Sequence, residues 1–554
     1  MAAGALRIIP LGGLGEIGKN MTVLEYDGDI LVLDCGLAFP RDEMPGIDLV
    51  LPDISYLRDH RDRVLGIVIT HGHEDHYGAL PFVLRELNVP VYGSRLTLAF
   101  AKSKLDEHGV LRDADINEID EASRLTLGPF AVSFVAVSHS VPDSLAVVID
   151  TPLGTVVHSG DYKFDHTPID GRITDVNRLA QLGDGGVLAL LADSTNADIE
   201  GSTGSESQVG HSFHQIFAEA EGRVILASFA SHIHRIQQAV QIAHLHGRVF
   251  AVSGRSMVKN VNIARNLGYL KVPEGSMIKL ADIDDYPPER LLIITTGSQG
   301  EPLSALTRMA FDDHPQVELR EGDTVVISAR PVPGNEVSVM NTVNRLLKSG
   351  ARVIYGPGTG VHVSGHAARE DERMLLNLVK PEYFVPVHGE YRHQHLQAEM
   401  ARQSGFAPDH IFLLENGDVL EIDGKGGRIT GKVRAGMVFV DGLEIGDAEH
   451  VVVRDRQRLA EDGILIAVVT LSVQTGELLA EPELVARGFL YDDDYRAEVL
   501  AEARDELVAK LEELAAEHVT GQRLLQEDVD ETLGRFIYRR TKRQPLVLPV
   551  IVEV

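Results

Sequence analysis

THGHEDH, residues 70–76, follows the apolar run Leu65, Ile67, Val68 and Ile69, and its reading decides the fold. Three histidines and an aspartate fall within six positions directly after what reads as a buried strand. Imidazole nitrogen and carboxylate oxygen are the ligands that zinc and similar divalent ions prefer. Side chains alternate in direction along an extended chain, so His71 and His73 need a turn to converge. Gly72 is expected to supply that freedom. Asp75 and His76 then face a second position, so one loop can serve two metal ions. A polar loop with incidental histidines is the plainer alternative, and the density of ligand types speaks against it.

Further along the chain, other ligand types stand at strand ends. The stretch 130–137 runs into Ser138-His139-Ser140, and 155–158 ends in Ser159-Gly160-Asp161. The stretch 187–192 ends at Asp193-Ser194-Thr195-Asn196, and 383–387 at His388-Gly389-Glu390. Alone, each would read as a satisfied loop residue. Beside the first cluster they complete a pattern. His71, His73 and His139 make one site; Asp75, His76 and His388, with Asp161 bridging, make the other. VHVSGHA at 361–367 adds His366, which has no place among the ligands. It is free to meet a substrate as a proton donor or oxyanion stabiliser. Asp34 ends the strand 30–33 and would orient a ligating histidine or simply close a turn; these residues alone leave both readings open.

Upstream, GGLGEIG at 12–18 contains GxGxxG at Gly13, Gly15 and Gly18. A dinucleotide site needs a helix to follow, with the pyrophosphate on its N-terminus. Here 21–26 alternates like a strand, so the cofactor reading is rejected. The glycines are expected to form a tight turn at the rim of the site.

Between Asp193 and His366 the pattern changes. The polar stretch 198–208 reads as a linker into an inserted unit. Apolar strands at 224–229, 249–252, 291–295, 324–328 and 353–355 then alternate with helices at 234–246, 303–310 and 337–348, a doubly wound α/β pattern. Its glycine loops, such as GSQGEP at 297–302, are either phosphate contacts or plain turns. Strands at 412–422 and 433–440 complete a β-rich core, and 454–462 reads as a charged linker. From 464 a last α+β unit follows: a strand at 464–473, helices at 495–517 and 525–538, and a strand at 546–552. Pro549 marks that strand as an edge. The run Arg539-Arg540-Thr541-Lys542-Arg543 reads as a solvated helix end rather than an RNA contact.

The 554 residues allow roughly three or four domains at about 150 each. A 44% hydrophobic content suits a globular chain with a large core. The single cysteine, Cys35, excludes an internal disulfide and fits a reducing cytoplasm. The opening MAAGALRIIPLGG does not resemble a secretory leader, and no run approaches the ~20 apolar residues of a membrane helix. A net charge of −30 argues against a surface generally coated by nucleic acid, so positive potential toward RNA must be local.

These motifs carry a resemblance. THGHEDH, the isolated His139 and SGD at Asp161 resemble the metallo-β-lactamase superfamily, and Asp193, His366 and His388 resemble motifs A, B and C of its β-CASP branch. LGGLGEIGKN, HSGDYKFD, ASFASHIHR, TTGSQGEPLSALTRMA, PGNE, VHVSGHA and PVHGEYRH together resemble the bacterial ribonuclease J family over nearly the whole chain. The resemblance implies an αββα core in two parts, 1–205 and 353–448, interrupted by a β-CASP insert at 206–352. A linker at 449–463 and a C-terminal α+β domain at 464–554, serving self-association, follow. It implies two divalent metals per subunit, zinc first and manganese as the alternative. It also implies a structural cation, calcium, on Pro45, Ile47 and Asp441. A histidine at motif C, here His388, implies RNA rather than DNA.

The expected activity is a metal-dependent ribonuclease working 5′ to 3′, favouring a 5′-monophosphate on single-stranded RNA, with endonuclease action as well. The alternative is a mainly endonucleolytic enzyme. His366, Asp75 and Asp193 are expected to carry catalysis, and the loop of His362, Val363, Ser364, Gly365 and His366 to grip an RNA phosphate. A cytoplasmic homodimer or homotetramer, acting in an RNA-degrading assembly and away from membranes, is the expected setting. Two rivals are set aside. A thioester or lactam hydrolase has no use for the insert, and a silent RNA scaffold would be expected to have lost a ligand.

Overall fold

Strand Val64–Val68, whose end carries the ligand loop, lies inside an eight-stranded sheet. The order is Gly426–Lys432, Asp418–Asp423, Leu6–Gly12, Met21–Tyr26, Asp29–Leu33, Val64–Val68, Val91–Gly93 and Ile116–Glu118. The first five strands pair antiparallel and the last four parallel, Asp29–Leu33 belonging to both runs. These strands come from a computed structural model that describes residues 4–41, 43–301, 303–442, 444–446, 451–473, 475–517 and 521–554. The domain boundary expected after 448 and Pro302 of the GSQGEP loop lie outside the described residues.

A second, six-stranded sheet runs Pro381–Val387, Val187–Asp193, Gly154–His158, Leu145–Thr151, Phe130–Ala136 and Arg124–Leu127. Its first three strands are parallel and the rest antiparallel. The two sheets share one core: Leu6, Leu31 and Val68 from the first cluster with Val147, Leu191 and Val385 from the second. Burying both inner faces removes large apolar side chains from water, at about 25 cal/mol per Å². The outer face of the second sheet is covered by helices Val176–Gly185, Arg369–Val379 and Tyr391–Gln403. This is the expected αββα layering. Strands Val64–Val68, Gly154–His158, Val187–Asp193 and Pro381–Val387 end in the segments that carry His71, Asp161, Asp193 and His388. Ligand sites of α/β sheets form at such carboxyl ends.

The insert is a five-stranded, all-parallel sheet in the order Val249–Ser253, Leu291–Thr295, Val224–Ala227, Thr324–Ile327 and Arg352–Ile354. Helices Ile233–Leu245, Ala305–Ala310 and Glu336–Lys348 fall where the sequence places them, within a residue or two. Helices Arg95–Glu107, Val176–Gly185, Arg255–Leu267 and Tyr391–Gln403 are among those the sequence reading did not anticipate. The expected linker at 198–208 gives way at its end to helix Ser207–Glu219.

The chain forms two compact units, one reaching Phe39 and continuing over Leu49–Val438, the other joining Pro40–Asp48 to Phe439–Val554. In the second unit, the stretch expected as a charged linker forms helix Val451–Asp462. Its polar face is solvated and Val453 is buried, so charge density there marks a helix surface rather than a disordered tether. The C-terminal sheet runs Glu483–Arg487, Ile464–Leu471, Leu546–Glu553, with the last strand at an edge as Pro549 requires. Helices Asp493–Ala516 and Gln522–Thr541 bury Leu465, Ala467, Val469 and Leu471. On the other side of the edge strand Leu548, Val550 and Val552 are exposed.

Candidate metal centre

Residues scattered from position 71 to position 388 converge in the fold. His71 Nε2 lies 3.0 Å from His73 Nδ1, and His139 Nε2 lies 3.1 Å from that same atom. Asp161 Oδ2 lies 3.4 Å from His71 Nε2 and 3.7 Å from His139 Nε2. The same oxygen is 3.3 Å from His76 Nε2. His388 turns Nδ1 to Asp161 Oδ1 at 2.9 Å and Nε2 to Asp75 Oδ2 at 3.4 Å. His76 Nε2 is 3.6 Å from Asp75 Oδ2. Two groups of candidate ligands thus meet at Asp161, His71, His73 and His139 on one side and Asp75, His76 and His388 on the other; Asp193 and His366 also come within ligand reach of Asp161 and His388, so the structure does not set His366 apart from the possible ligands as the sequence reading did.

Two buried atoms in this cluster have no hydrogen-bond partner, Asp161 Oδ2 and His388 Nε2. An unpartnered buried carboxylate oxygen costs about 1–3 kcal/mol or more. Here it faces ring nitrogens from both groups, which is the donor set and placement a pair of divalent cations requires. The residues therefore fit the two metals that the chemistry of the motif implies.

The two groups differ electrostatically. Burial, reinforced by neighbouring histidines, holds His71 and His139 well below the ordinary histidine range, and burial brings His73 down to about 4. Burial opposes charge on His76 as well, but Asp161, Asp75 and Asp34 outweigh it and raise that ring well above its usual value. Burial is likewise outweighed at His388, which Asp161 lifts to about 10. The carboxyls of Asp75 and Asp161 are held below the usual range by these histidines despite burial. Without metal, one group is neutral and the other is a network of ion pairs.

Asp34 takes the orienting position. Its Oδ2 lies 2.8 Å from His76 Nδ1, and its Oδ1 accepts from the Thr70 amide at 2.8 Å. Asp34 and His388 both sit at positive φ, 62° and 49°, so two of the turns that aim these groups hold left-handed non-glycine residues. Gly72 differs from expectation. It is not in the left-handed region; an added Cβ would instead stand 3.0 Å from the Phe100 ring, so close packing is what excludes a side chain. The glycine loop does line the site, as expected: Gly12, Gly13 and Leu14 border the same pocket as Asp34, His76, Asp161 and His388.

His366 stands beside the cluster. Its Nδ1 donates to Asp193 Oδ2 at 2.8 Å, and Asp193 Oδ1 accepts from the Thr195 hydroxyl at 2.7 Å. Burial works against a charge on His366, but Asp193 and then Asp161 raise its affinity for a proton. The loop 362–366 is tied to the site through the Gly365 carbonyl, which accepts from His139 Nδ1 at 2.8 Å. A Cβ on Gly365 would meet that ring at 2.7 Å, so the approach requires glycine.

Several contributors were not read from the sequence. Asn20 Nδ2 donates to the Asp75 carbonyl and lies 3.1 Å from His76 Nε2. Asn196 Nδ2 donates to Ser364 Oγ at 2.8 Å, and the Thr203 hydroxyl to the His366 carbonyl at 2.7 Å. The only signal available was position: Asn20 closes LGGLGEIGKN, and Asn196 closes the stretch after Asp193.

At the expected structural cation site, Arg456 stands between the named residues. Its Nη1 donates to the Pro45 carbonyl at 3.3 Å and its Nη2 pairs with Asp441 Oδ2 at 2.5 Å. Ile47 lies in the same loop, its amide bonded to the Met44 carbonyl. A guanidinium thus lies among the residues expected to hold calcium.

Comparison with known families agrees with this geometry. Residues 14–203 match the model of the metallo-beta-lactamase superfamily, and 221–346 that of the ribonuclease J beta-CASP domain. Residues 359–413 match the Zn-dependent metallo-hydrolase RNA specificity domain, and 451–554 the ribonuclease J C-terminal domain. Ribonuclease J2 of Bacillus subtilis is 44% identical over 550 residues, covering 99% of both chains. Ribonuclease J of Synechocystis is 43% identical over 98% of this chain and 86% of its own length. That of Thermus thermophilus is 42% identical over 99% of this chain and 95% of its own. A solved structure of a protein of unknown function from Enterococcus faecalis, 15% identical, shares the fold with a TM-score of 0.51 over 79% of this chain and all of its own.

Proposed function

The chain belongs to the ribonuclease J family of metal-dependent ribonucleases, and on that premise we propose that it degrades single-stranded RNA from the 5′ end and also cuts internally. The observation that carries the two-metal part is the unpartnered Asp161 Oδ2 between two ligand groups. His71, His73 and His139 would hold one ion and Asp75, His76 and His388 the other, with Asp161 available to both. Zinc suits the histidine-rich first group, and manganese is the alternative. When bound, the ions supply the charge that acidifies an attacking water and polarises the phosphate.

The remaining work falls to side chains. Asp75 and Asp161 are ionised and orient water toward phosphorus. Asp193 holds His366 by its Nδ1, leaving the opposite ring nitrogen to stabilise a non-bridging oxygen or protonate the leaving 3′-oxygen. A new 5′-phosphate results. His362, Val363, Ser364 and Gly365 offer hydroxyl, ring and backbone donors to a second phosphate, which suits a 5′-monophosphate end. RNA recognition by shape and phosphate is compatible with a net charge of −30, because the donors are concentrated at the site.

The domain division proposed is the core at 1–205 and 353–448, the insert at 206–352 and the C-terminal unit at 464–554. Exposed Leu548, Val550 and Val552 on the last strand support self-association into a dimer or tetramer. One buried, unbridged cysteine supports a cytoplasmic setting, and no helix among the described residues is long and apolar enough to cross a membrane. In that setting, RNA maturation and decay are the proposed roles.

The test is RNA labelled at its 3′ end and carrying either a 5′-monophosphate or a 5′-triphosphate. Mononucleotides released from the 5′ end, faster with the monophosphate, are expected. Internal cuts indifferent to the 5′ group would replace this reading with a mainly endonucleolytic one.

A further inference from the structure

ASFASHIHR ends in Arg235, a fully buried arginine that no step above uses. It lies on helix Ile233–Leu245 of the insert. Its Nε and Nη2 clasp Glu206 in a two-bonded pair, at 2.5 and 2.8 Å. Nη1 donates to the Ser328 carbonyl at 2.9 Å and hydroxyl at 2.6 Å. The same nitrogen reaches the Val361 carbonyl at 3.2 Å, and Nη2 the Val363 carbonyl at 3.3 Å. Nη1 also lies 3.4 Å from His362 Nδ1. Ser328 adds its own bond, donating from Oγ to the Val361 carbonyl at 2.5 Å.

One guanidinium therefore joins the entry to the insert, the end of its strand Thr324–Ile327, and the returning segment that carries the phosphate loop. With no exposed surface and its N–H groups engaged, Arg235 cannot touch RNA itself. A planar fork with five fixed donors is what such a three-way junction needs, and lysine does not reproduce it. Burial and the nearby arginines push the His362 proton affinity well down.

We propose that Arg235 is a positioning residue for recognition of the RNA 5′-phosphate: it sets the backbone of the 361–363 segment that opens the 362–366 loop, and the place of the His362 ring, without contacting substrate. This rests on the reading of that loop as the phosphate grip.

The experiment compares full-length wild type, Arg235→Lys and Ser328→Ala, with His362→Gln and Ser364→Ala as tests of the loop itself. Each is assayed on 5′-monophosphate and 5′-triphosphate RNA, with thermal melting as a check on folding. For Arg235→Lys, KM on the monophosphate RNA should rise at least about tenfold with kcat within about twofold, and preference over the triphosphate should disappear. Ser328→Ala should move in the same direction by a smaller factor, and it keeps the proposal testable if Arg235→Lys does not fold. Wild-type KM and preference in a folded Arg235→Lys protein would overturn the proposal, as would loss confined to kcat. If Arg235→Lys is unfolded, unchanged KM in Ser328→Ala would overturn it. If His362→Gln and Ser364→Ala also leave the preference intact, the phosphate-grip reading fails. If they abolish it while Arg235→Lys and Ser328→Ala do not, only the role of Arg235 fails.

Discussion

Asp34 Oδ2 lies 2.8 Å from His76 Nδ1, so a carboxylate from the end of one strand fixes the ring that the next strand's loop presents. Carboxylates in this position hold a ligand's tautomer and raise its basicity. Asp34→Ala should weaken the second metal about 10–100-fold and leave the first unchanged. Metal titration followed by elemental analysis would show it, and equal loss of both ions would argue against this division of labour.

His366 Nδ1 is bonded to Asp193 at 2.8 Å and lies 3.8 Å from Asp161 Oδ2, so a ligand role and a catalytic role are told apart by one variant. His366→Ala should lower kcat on RNA by about 10²–10⁴-fold while two metals remain bound per subunit. Loss of metal in that variant would show His366 to be a ligand.

Metal loading should release protons unevenly. His76 and His388 are charged without metal, because their folded proton affinities are raised, to about 10 for His388. His71, His73 and His139 are already neutral, being lowered. At pH 7, filling the second site should expel about two protons and the first site almost none. Falling pH strengthens competition at His76 and His388, so second-site affinity drops through a range where first-site affinity is flat. Calorimetric titration in buffers of different ionisation enthalpy measures the proton count directly.

Within the insert, Arg223 is buried and paired with Asp323, its Nη2 2.6 Å and its Nε 2.9 Å from the carboxylate. Asp323→Ala leaves a buried guanidinium uncompensated and should cost about 3–5 kcal/mol. The unfolding transition assigned to the insert should move accordingly, and a shift below about 1 kcal/mol would mean that solvent reaches Arg223.

Legibility followed chemistry more closely than it followed secondary structure. THGHEDH stood out by its density of ligand types, and His139, Asp161 and His388, each ordinary alone at a strand end, became candidates only beside it. Asp34 could not be assigned, since a turn aspartate and an orienting aspartate look alike until His76 is placed in space. Gly72 was read for freedom of φ, whereas the constraint is the Phe100 ring, a partner distant in sequence. Helix Arg95–Glu107 escaped because its opening apolar residues, Leu96, Leu98 and Phe100, alternate as in a strand. Helix Val451–Asp462 escaped because its charges hid a short apolar stripe. Arg235 was legible only as part of a motif, since its partners at 206, 328 and 361–363 come together through tertiary folding alone.

The order of the ligands along the chain carries a consequence for synthesis. His71, His73, His139 and Asp161 leave the ribosome early, but His366 and His388 follow only after the whole insert. The second ligand group cannot close until residue 388 of 554 has emerged. A nascent chain shorter than this lacks the full set of candidate ligands, so any cutting power that set supplies waits until the insert has been made.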